Sequence, residues 1–143
     1  MIALDTNILL HAHRADSPWH AQALTCVSTL GKARWAIPWP CVHEFLAIAT
    51  HPKVFDPPTP QADALLAVET WLDAPMVTLL GELDGYFLEL ASLLRAGRIV
   101  GPRVHDARIA ALCLQHGVNE LWTMDRDFSR FSSLRTRNPL AQG

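Results

Sequence analysis

The stretch Ile2-Ala3-Leu4-Asp5-Thr6-Asn7-Ile8-Leu9-Leu10 decides the fold. Apolar residues make a short buried strand, a carboxylate closes it, small polar residues follow, and a helix begins near Ile8. In an open α/β sheet, ligands bind in the crevice beyond the carboxyl ends of the strands. This order puts Asp5 there. Taken alone, an acid after a strand is more often a helix cap or a turn residue. Its meaning therefore depends on what the rest of the chain brings to the same edge.

Working outward, helices and strands alternate. Ser17-Pro18 reads as a cap and first-turn proline for a helix to about Leu30, ended by Gly31. A strand is expected from Ala33 to Ile37, and Pro38-Trp39-Pro40 leads into a helix from about Cys41 to Ala49. The loop from His51 to Pro60 holds four prolines and is expected to cover an edge or mark exposed surface. Thr59-Pro60 repeats the cap signature ahead of a helix to about Leu72, and Met76 to Leu80 reads as a third strand. The next helix runs from about Asp84 to Ala96, with Phe87, Leu90 and Leu94 on its core stripe and Gly97 as its stop. His105-Asp106-Ala107 opens another helix that reaches His116 and stops at Gly117. Glu120 to Thr123 is a fourth strand, and Leu134 to Thr136 reads as a final edge strand. This alternation predicts one domain over residues 1–143, a three-layer α/β/α fold around a mostly parallel sheet of four to five short strands.

Composition narrows the class. The chain has 143 residues, half of them hydrophobic and 18% charged, a globular profile. No apolar run approaches the ~20 residues of a membrane span. Three scattered cysteines, Cys26, Cys41 and Cys113, read as reduced thiols rather than a disulfide frame or zinc site. A cytoplasmic protein with no membrane partner is expected. Net charge is −2, but residues 1–94 carry 4 basic and 10 acidic side chains, whereas residues 95–143 carry 8 arginines and 4 acids. Arginines beside clustered carboxylates suit a phosphate-bearing substrate, because guanidinium matches phosphate geometry. Five tryptophans (19, 35, 39, 71 and 122) fill the core for the most part, with Trp39 and Trp71 placed to offer apolar surface to a partner.

Several acids are positioned to meet Asp5. Glu44 is the only acid in its helix, Asp106 lies in a first turn, and Asp125 and Asp127 follow the fourth strand. Strand ends and the helix starts that follow them share one edge of a parallel sheet, so Asp5, Asp106 and the Asp125 pair can converge there, and Glu44 comes within reach if its helix crosses the same edge. Carboxylates brought together repel unless protonated or neutralised by a cation. Hard oxygen ligands suit Mg²⁺ or Mn²⁺, and such a site activates water and stabilises a leaving oxygen in phosphodiester cleavage. Each acid also has a plainer role: Asp106 favours the positive end of its helix, and Asp125 and Asp127 cap the segment at Phe128. His11 and His13 lack His-x-x-x-His spacing, while His43 and His105 read as structural residues or neighbours of the site. No Walker A, nucleophile elbow or dinucleotide fingerprint occurs.

Leu4-Asp5-Thr6-Asn7, the helical Glu44, His105-Asp106-Ala107 and Leu121-Trp122-Thr123-Met124-Asp125-Arg126-Asp127-Phe128 together resemble the PIN-domain ribonucleases, and more narrowly the VapC toxins of type II toxin–antitoxin modules. The resemblance spans essentially the whole chain. It implies a PIN fold, a magnesium-dependent endoribonuclease, an RNA substrate, a cognate antitoxin and a homodimer. Asp5, Glu44, Asp106 and Asp125 match the acidic quartet by position, with Asp5 and Asp106 as direct metal ligands and Glu44 and Asp125 acting through water. Asp127 matches a frequent extra acid. Thr6, Asn7 and Thr123 match supporting polar positions. Arg108 and Arg126 are the arginines expected to hold RNA phosphates.

Two other readings compete. One is a catalytically silent PIN module that binds RNA or protein. The other is a phosphotransfer domain, which also places an Asp after strand one. Its phosphohydrolase form wants Asp-x-Asp, but Asn7 occupies the second position, and its receiver form wants a late lysine, whereas Lys32 and Lys53 lie early.

Overall fold

The computed structural model describes residues 1–141. Five short strands form one sheet: β1 (Ile2–Leu4), β2 (Trp35–Pro38), β3 (Val77–Leu80), β4 (Glu120–Trp122) and β5 (Thr136–Arg137). Their order is β3-β2-β1-β4-β5 and every pairing is parallel. Six helices accompany them: α1 (Thr6–His13), α2 (His20–Leu30), α3 (Trp39–Ala49), α4 (Gln61–Leu72), α5 (Tyr86–Gly97) and α6 (Val104–Gln115). Two 3₁₀ turns, Gly101–Arg103 and Arg126–Arg130, precede α6 and follow β4. The architecture is the expected three-layer α/β/α, with its sheet parallel throughout.

The strand order places the site. The chain builds outward from β1 through β2 to β3, then crosses back to β4 on the other side of β1. The reversal between β1 and β4 is the topological switch point, where the crevice of such sheets opens. Leu4 lies opposite Trp122, so Asp5 and Thr123 are the next residues on two adjacent strands. The Asp5 N–H donates to the Trp122 carbonyl at 3.0 Å and keeps the two in step. Below this edge the core is continuous: Leu4, Ile8, Ile37, Phe45, Ile109, Leu112, Leu121 and Phe128 are all buried.

Several local expectations change. Ser17 does not cap α2; its hydroxyl accepts from the Trp19 N–H at 3.1 Å and meets His11 Nδ1 at 2.7 Å, and the helix starts at His20. Thr59 is likewise diverted from capping: it is buried, with its hydroxyl bonded to His13 and Arg14, and α4 starts at Gln61. The proline-rich loop thereby closes over the end of α1, with the Arg14 guanidinium stacked 4.2 Å above Phe55. Phe87 leaves the expected core stripe and is 72% exposed, because α5 buries Ala91 and Leu93 instead. The left-handed residue ending α5 is Arg98 (φ 51°), not Gly97. Gly97 is the last residue of the helix, where a Cβ would meet the Ile99 side chain at 3.0 Å. Leu134 is buried in the core and the edge strand falls at Thr136–Arg137. Trp35 and Trp122 are buried, Trp39 is half-exposed, and Trp71 packs edge-on against Phe45 at 4.7 Å.

Candidate active site

Asp5 is both a helix cap and the centre of a polar cluster. Its Oδ1 accepts the Thr6 N–H at 2.8 Å, which starts α1. Its Oδ2 accepts the Thr123 hydroxyl at 2.7 Å, as the strand register dictates. The Asn7 amide at 3.3 Å and the Cys41 thiol at 3.6 Å add weaker contacts. Only 5% of Asp5 is exposed. Burial raises its pKa; the Thr123 hydroxyl and Thr6 N–H pull it back down, and the Glu44 charge raises it again. Cys41 is wholly buried beneath it, and burial together with the Asp5 charge holds that thiol protonated, so it serves as a donor and not a nucleophile.

Thr123 and Asn7 tie β4 to β1. The Thr123 oxygen also accepts from the Asp125 N–H at 3.0 Å and the Asn7 amide at 3.3 Å. Asn7 Oδ1 accepts the Met124 N–H at 3.1 Å. One hydroxyl therefore fixes both the orientation of Asp5 and the entry of the chain to Asp125. Asp125 in turn accepts the Asp127 N–H at 2.8 Å and caps the 3₁₀ turn behind it. Glu44 comes from α3, and its Oε2 accepts the Thr6 hydroxyl at 2.8 Å. Among the described residues no buried side-chain polar atom lacks a partner.

Asp106, in the first turn of α6, lies within electrostatic reach of the other acids. Its pKa is pushed from 3.8 to about 6, first by partial burial, then by the charges of Asp125, Asp5, Glu44 and Asp127 in that order. A helix start favours an acid by only ~0.3–1 kcal/mol, so burial and repulsion outweigh the dipole here. Asp5, Glu44, Asp106 and Asp125 therefore lie within electrostatic reach of one another at this end of the sheet. Asp127 stands slightly apart, in an ion pair with Arg103 at 2.7 Å.

The donor set suits a hard divalent cation. All the converging groups are carboxylates, whose mutual repulsion a cation relieves, and they are not a zinc-type set. Among the described residues no three His, Cys, Asp or Glu side chains draw close enough to form a cage by themselves. Mg²⁺ needs no such cage, since it is bound through one or two carboxylates with water and substrate phosphate completing its shell.

The arginines are arranged differently from the sequence expectation. Arg108 lies 3.8 Å from Glu82 and lines a small pocket with Pro40, His43, Glu44 and His105, so both site-neighbour histidines flank Glu44. Arg126 is exposed at the head of the 3₁₀ turn and lines none of the described cavities around the acids. A larger open groove of about 560 Å³ has Asp106 and Asp127 in its lining beside Arg98, Arg103 and Arg130. The excess of C-terminal arginine was visible in the sequence. Which arginines share a wall was not, because they come from the end of α5 and from the two 3₁₀ turns.

This chain matches the family model described as PIN domain over residues 2–134 and belongs to that family. Within it, the chain stands with the VapC ribonucleases. Ribonuclease VapC48 of Mycobacterium tuberculosis is 30% identical over 139 residues, covering 96% of each chain. Ribonuclease VapC33 of the same organism is 32% identical over 144 aligned residues, covering 99% of this chain and all of its own. Among solved structures, VapBC2 from Rickettsia felis, bound to a DNA fragment from its promoter, matches with a TM-score of 0.70 at 19% identity, covering 96% of this chain and 98% of that one. Mycobacterium tuberculosis VapC20, described as a Sarcin-Ricin loop cleaving toxin, matches with a TM-score of 0.66 at 16% identity over 90% and 93% of the two chains. Among the described residues no helix is long and apolar enough to cross a membrane.

Proposed function

We propose that this chain is a metal-dependent endoribonuclease acting as the toxin of a toxin–antitoxin pair. The observation that carries this reading is the meeting of Asp5, Glu44, Asp106 and Asp125, from four separate elements, at the sheet's switch point. The ribonuclease names of its relatives support the RNA substrate, and the VapBC assemblies among its structural neighbours support an antitoxin partner.

Asp5 and Asp106 would hold Mg²⁺ or Mn²⁺, with Glu44 and Asp125 acting through water. The bound ion supplies charge to the scissile phosphate and acidity to a water nucleophile. The chain's own residues do the rest. The Thr123 hydroxyl and Thr6 N–H fix both Asp5 oxygens, leaving the weak Asn7 contact as the one that yields to a ligand. Thr6 fixes Glu44 through its hydroxyl, so one residue sets the spacing of two acids. With a pKa near 6, Asp106 exchanges a proton close to neutrality before the site is loaded. Arg108, which lines a pocket with Glu44, supplies a cation for an RNA phosphate.

The test is RNA cleavage by the purified protein with Mg²⁺ or Mn²⁺, against Asp5→Asn and against EDTA. Cleavage by the native protein alone is expected. Activity that survives EDTA or Asp5→Asn removes the metal mechanism, and RNA bound but never cut makes the chain a silent PIN module. A homodimer is expected from the apolar surface of α5, where Phe87 and Leu88 are 72% and 75% exposed. A monomer in sedimentation equilibrium at micromolar concentration refutes it.

A further inference from the structure

An open groove of about 560 Å³ runs beside Asp106. Seven residues line it: Arg98, Val100, Pro102, Arg103, Asp106, Asp127 and Arg130. Both of its acids belong to the candidate site or adjoin it, and the remaining charged residues are all arginines.

We propose that Arg98, Arg103 and Arg130 form the track on which the RNA backbone lies as it passes Asp106, and that Asp127 is a positioning residue that holds Arg103 in that track. This rests on the nuclease reading and names the surface that presents the substrate to its acids.

Three observations carry it. First, Arg98 occupies the left-handed region at φ 51°, ψ 47°, at the end of α5. That conformation favours glycine and costs a side-chain-bearing residue ~1–2 kcal/mol. An arginine kept there at a local cost is the kind of outlier that marks a functional position. Second, the Arg103–Asp127 pair is exposed, with 39% and 47% of the two side chains accessible. Exposed pairs contribute ~0–1 kcal/mol to stability, so this one does little for the fold. A carboxylate engages at most two of the five guanidinium N–H donors, which leaves Arg103 able to take a phosphate while Asp127 holds it. Third, Arg130 ends the 3₁₀ turn that Asp125 begins as its cap. The same carboxylate that faces the site therefore sets the turn that carries Arg130 to the groove.

The sign of charge selects phosphate over other ligands. A neutral sugar or base offers three guanidinium groups no charge to neutralise, whereas each phosphate neutralised by an arginine releases a condensed counterion. The arginines stand beside the carboxylates, where a strand must pass to be cut.

The experiment uses Asp5→Asn as the background, so that RNA is bound and not consumed, and a fluorescein-labelled single-stranded RNA in EDTA. Anisotropy titrations across a salt series give the slope of log K against log salt. Arg98→Gly, Arg103→Gln and Arg130→Gln should each reduce that slope by ~0.7, and the triple variant by about 2. Arg34→Gln, at the opposite edge of the sheet, should leave it unchanged. Arg98→Gly should also raise the melting temperature, because glycine relieves the left-handed strain; Arg98→Asn, which tolerates that region, should match its loss of binding. Asp127→Asn should weaken RNA binding even though it removes a negative charge, an effect that simple electrostatics does not produce. Unchanged slopes in all three arginine variants overturn the track. So does loss of binding to a labelled poly-glutamate peptide while RNA binding is retained, since the groove then receives an acidic peptide. Cleavage by the native protein is scored separately. Arginine-dependent binding without cleavage keeps the track and removes the nuclease, and cleavage with arginine-independent binding does the reverse.

Discussion

Replacing Asp106 with asparagine should stabilise the metal-free protein, and the structure sets both size and sign. Its carboxyl is pushed from 3.8 to about 6 by partial burial and by four neighbouring acids. A shift of roughly two units corresponds to about 3 kcal/mol at most, at ~1.4 kcal/mol per unit. Asp106 is only partly buried, and solvent screening reduces this to about 1 kcal/mol. Asparagine keeps the shape and sheds the charge. For a domain of this size the gain is a rise of about 3 °C in melting temperature. The pH dependence follows from the direction of the shift. At about pH 7.5 the group is ionised in the folded and unfolded chains, and the folded chain bears the full cost of the buried charge. As pH falls through 6 the folded chain takes up a proton that the unfolded chain, titrating near 3.8, does not, so the native protein gains stability relative to the variant. The gap should narrow by about half at pH 5 and vanish below pH 4. Calorimetry of both proteins in EDTA at several pH values measures it. A variant less stable than the native protein at about pH 7.5, or a gap that widens on acidification, refutes the reasoning.

Other perturbations reach the same edge from different sides. Millimolar MgCl₂ should raise the melting temperature of the native protein and not that of Asp5→Asn, since a ligand stabilises only the state that binds it; equal shifts in both would mean binding elsewhere. Thr123→Val removes the donor at 2.7 Å from Asp5 and an acceptor of the Asp125 N–H, and should cost ~1–3 kcal/mol in urea unfolding together with most of the cleavage activity. Phe45→Ala empties a fully buried position between His13 and Trp71 and should cost ~3–5 kcal/mol, read from the urea midpoint.

What the sequence disclosed, and what it hid, follows from how local each signal is. Asp5 and Thr123 were legible because strand ends are marked by a change from apolar to polar residues, and parallel strands align those ends. Glu44 was legible as a lone acid on an otherwise apolar helix. Ser17 and Thr59 misled because a hydroxyl beside a proline has several possible acceptors and donors, and tertiary neighbours claimed it: His11 in one case, His13 and Arg14 in the other. Phe87 misled because helical spacing defines a stripe without saying which side of the helix meets the sheet. The arginine groove was hidden outright. Arg98, Arg103 and Arg130 share a wall only once α6 has crossed back to β4, and no spacing rule spans that return.

The reading of Asp5 as either a cap or a site residue turns out to pose a false choice. Its Oδ1 caps α1 and its Oδ2 is held by Thr123, so the interaction that starts the helix also orients the carboxylate. Asp125 repeats the arrangement at the other strand of the switch point, capping a turn while facing the acids. The local costs of the molecule gather at this edge. Asp5 is a carboxyl group whose pKa burial raises, Asp106 is repelled by its neighbours, and Arg98 holds a conformation suited to glycine. Each costs on the order of 1 kcal/mol or more, against a total stability of ~5–15 kcal/mol for a domain of this kind. A fold selected for stability alone would shed them by single substitutions. Among the described residues these costs fall together at one end of the sheet, as the proposed role of that end in binding substrate requires.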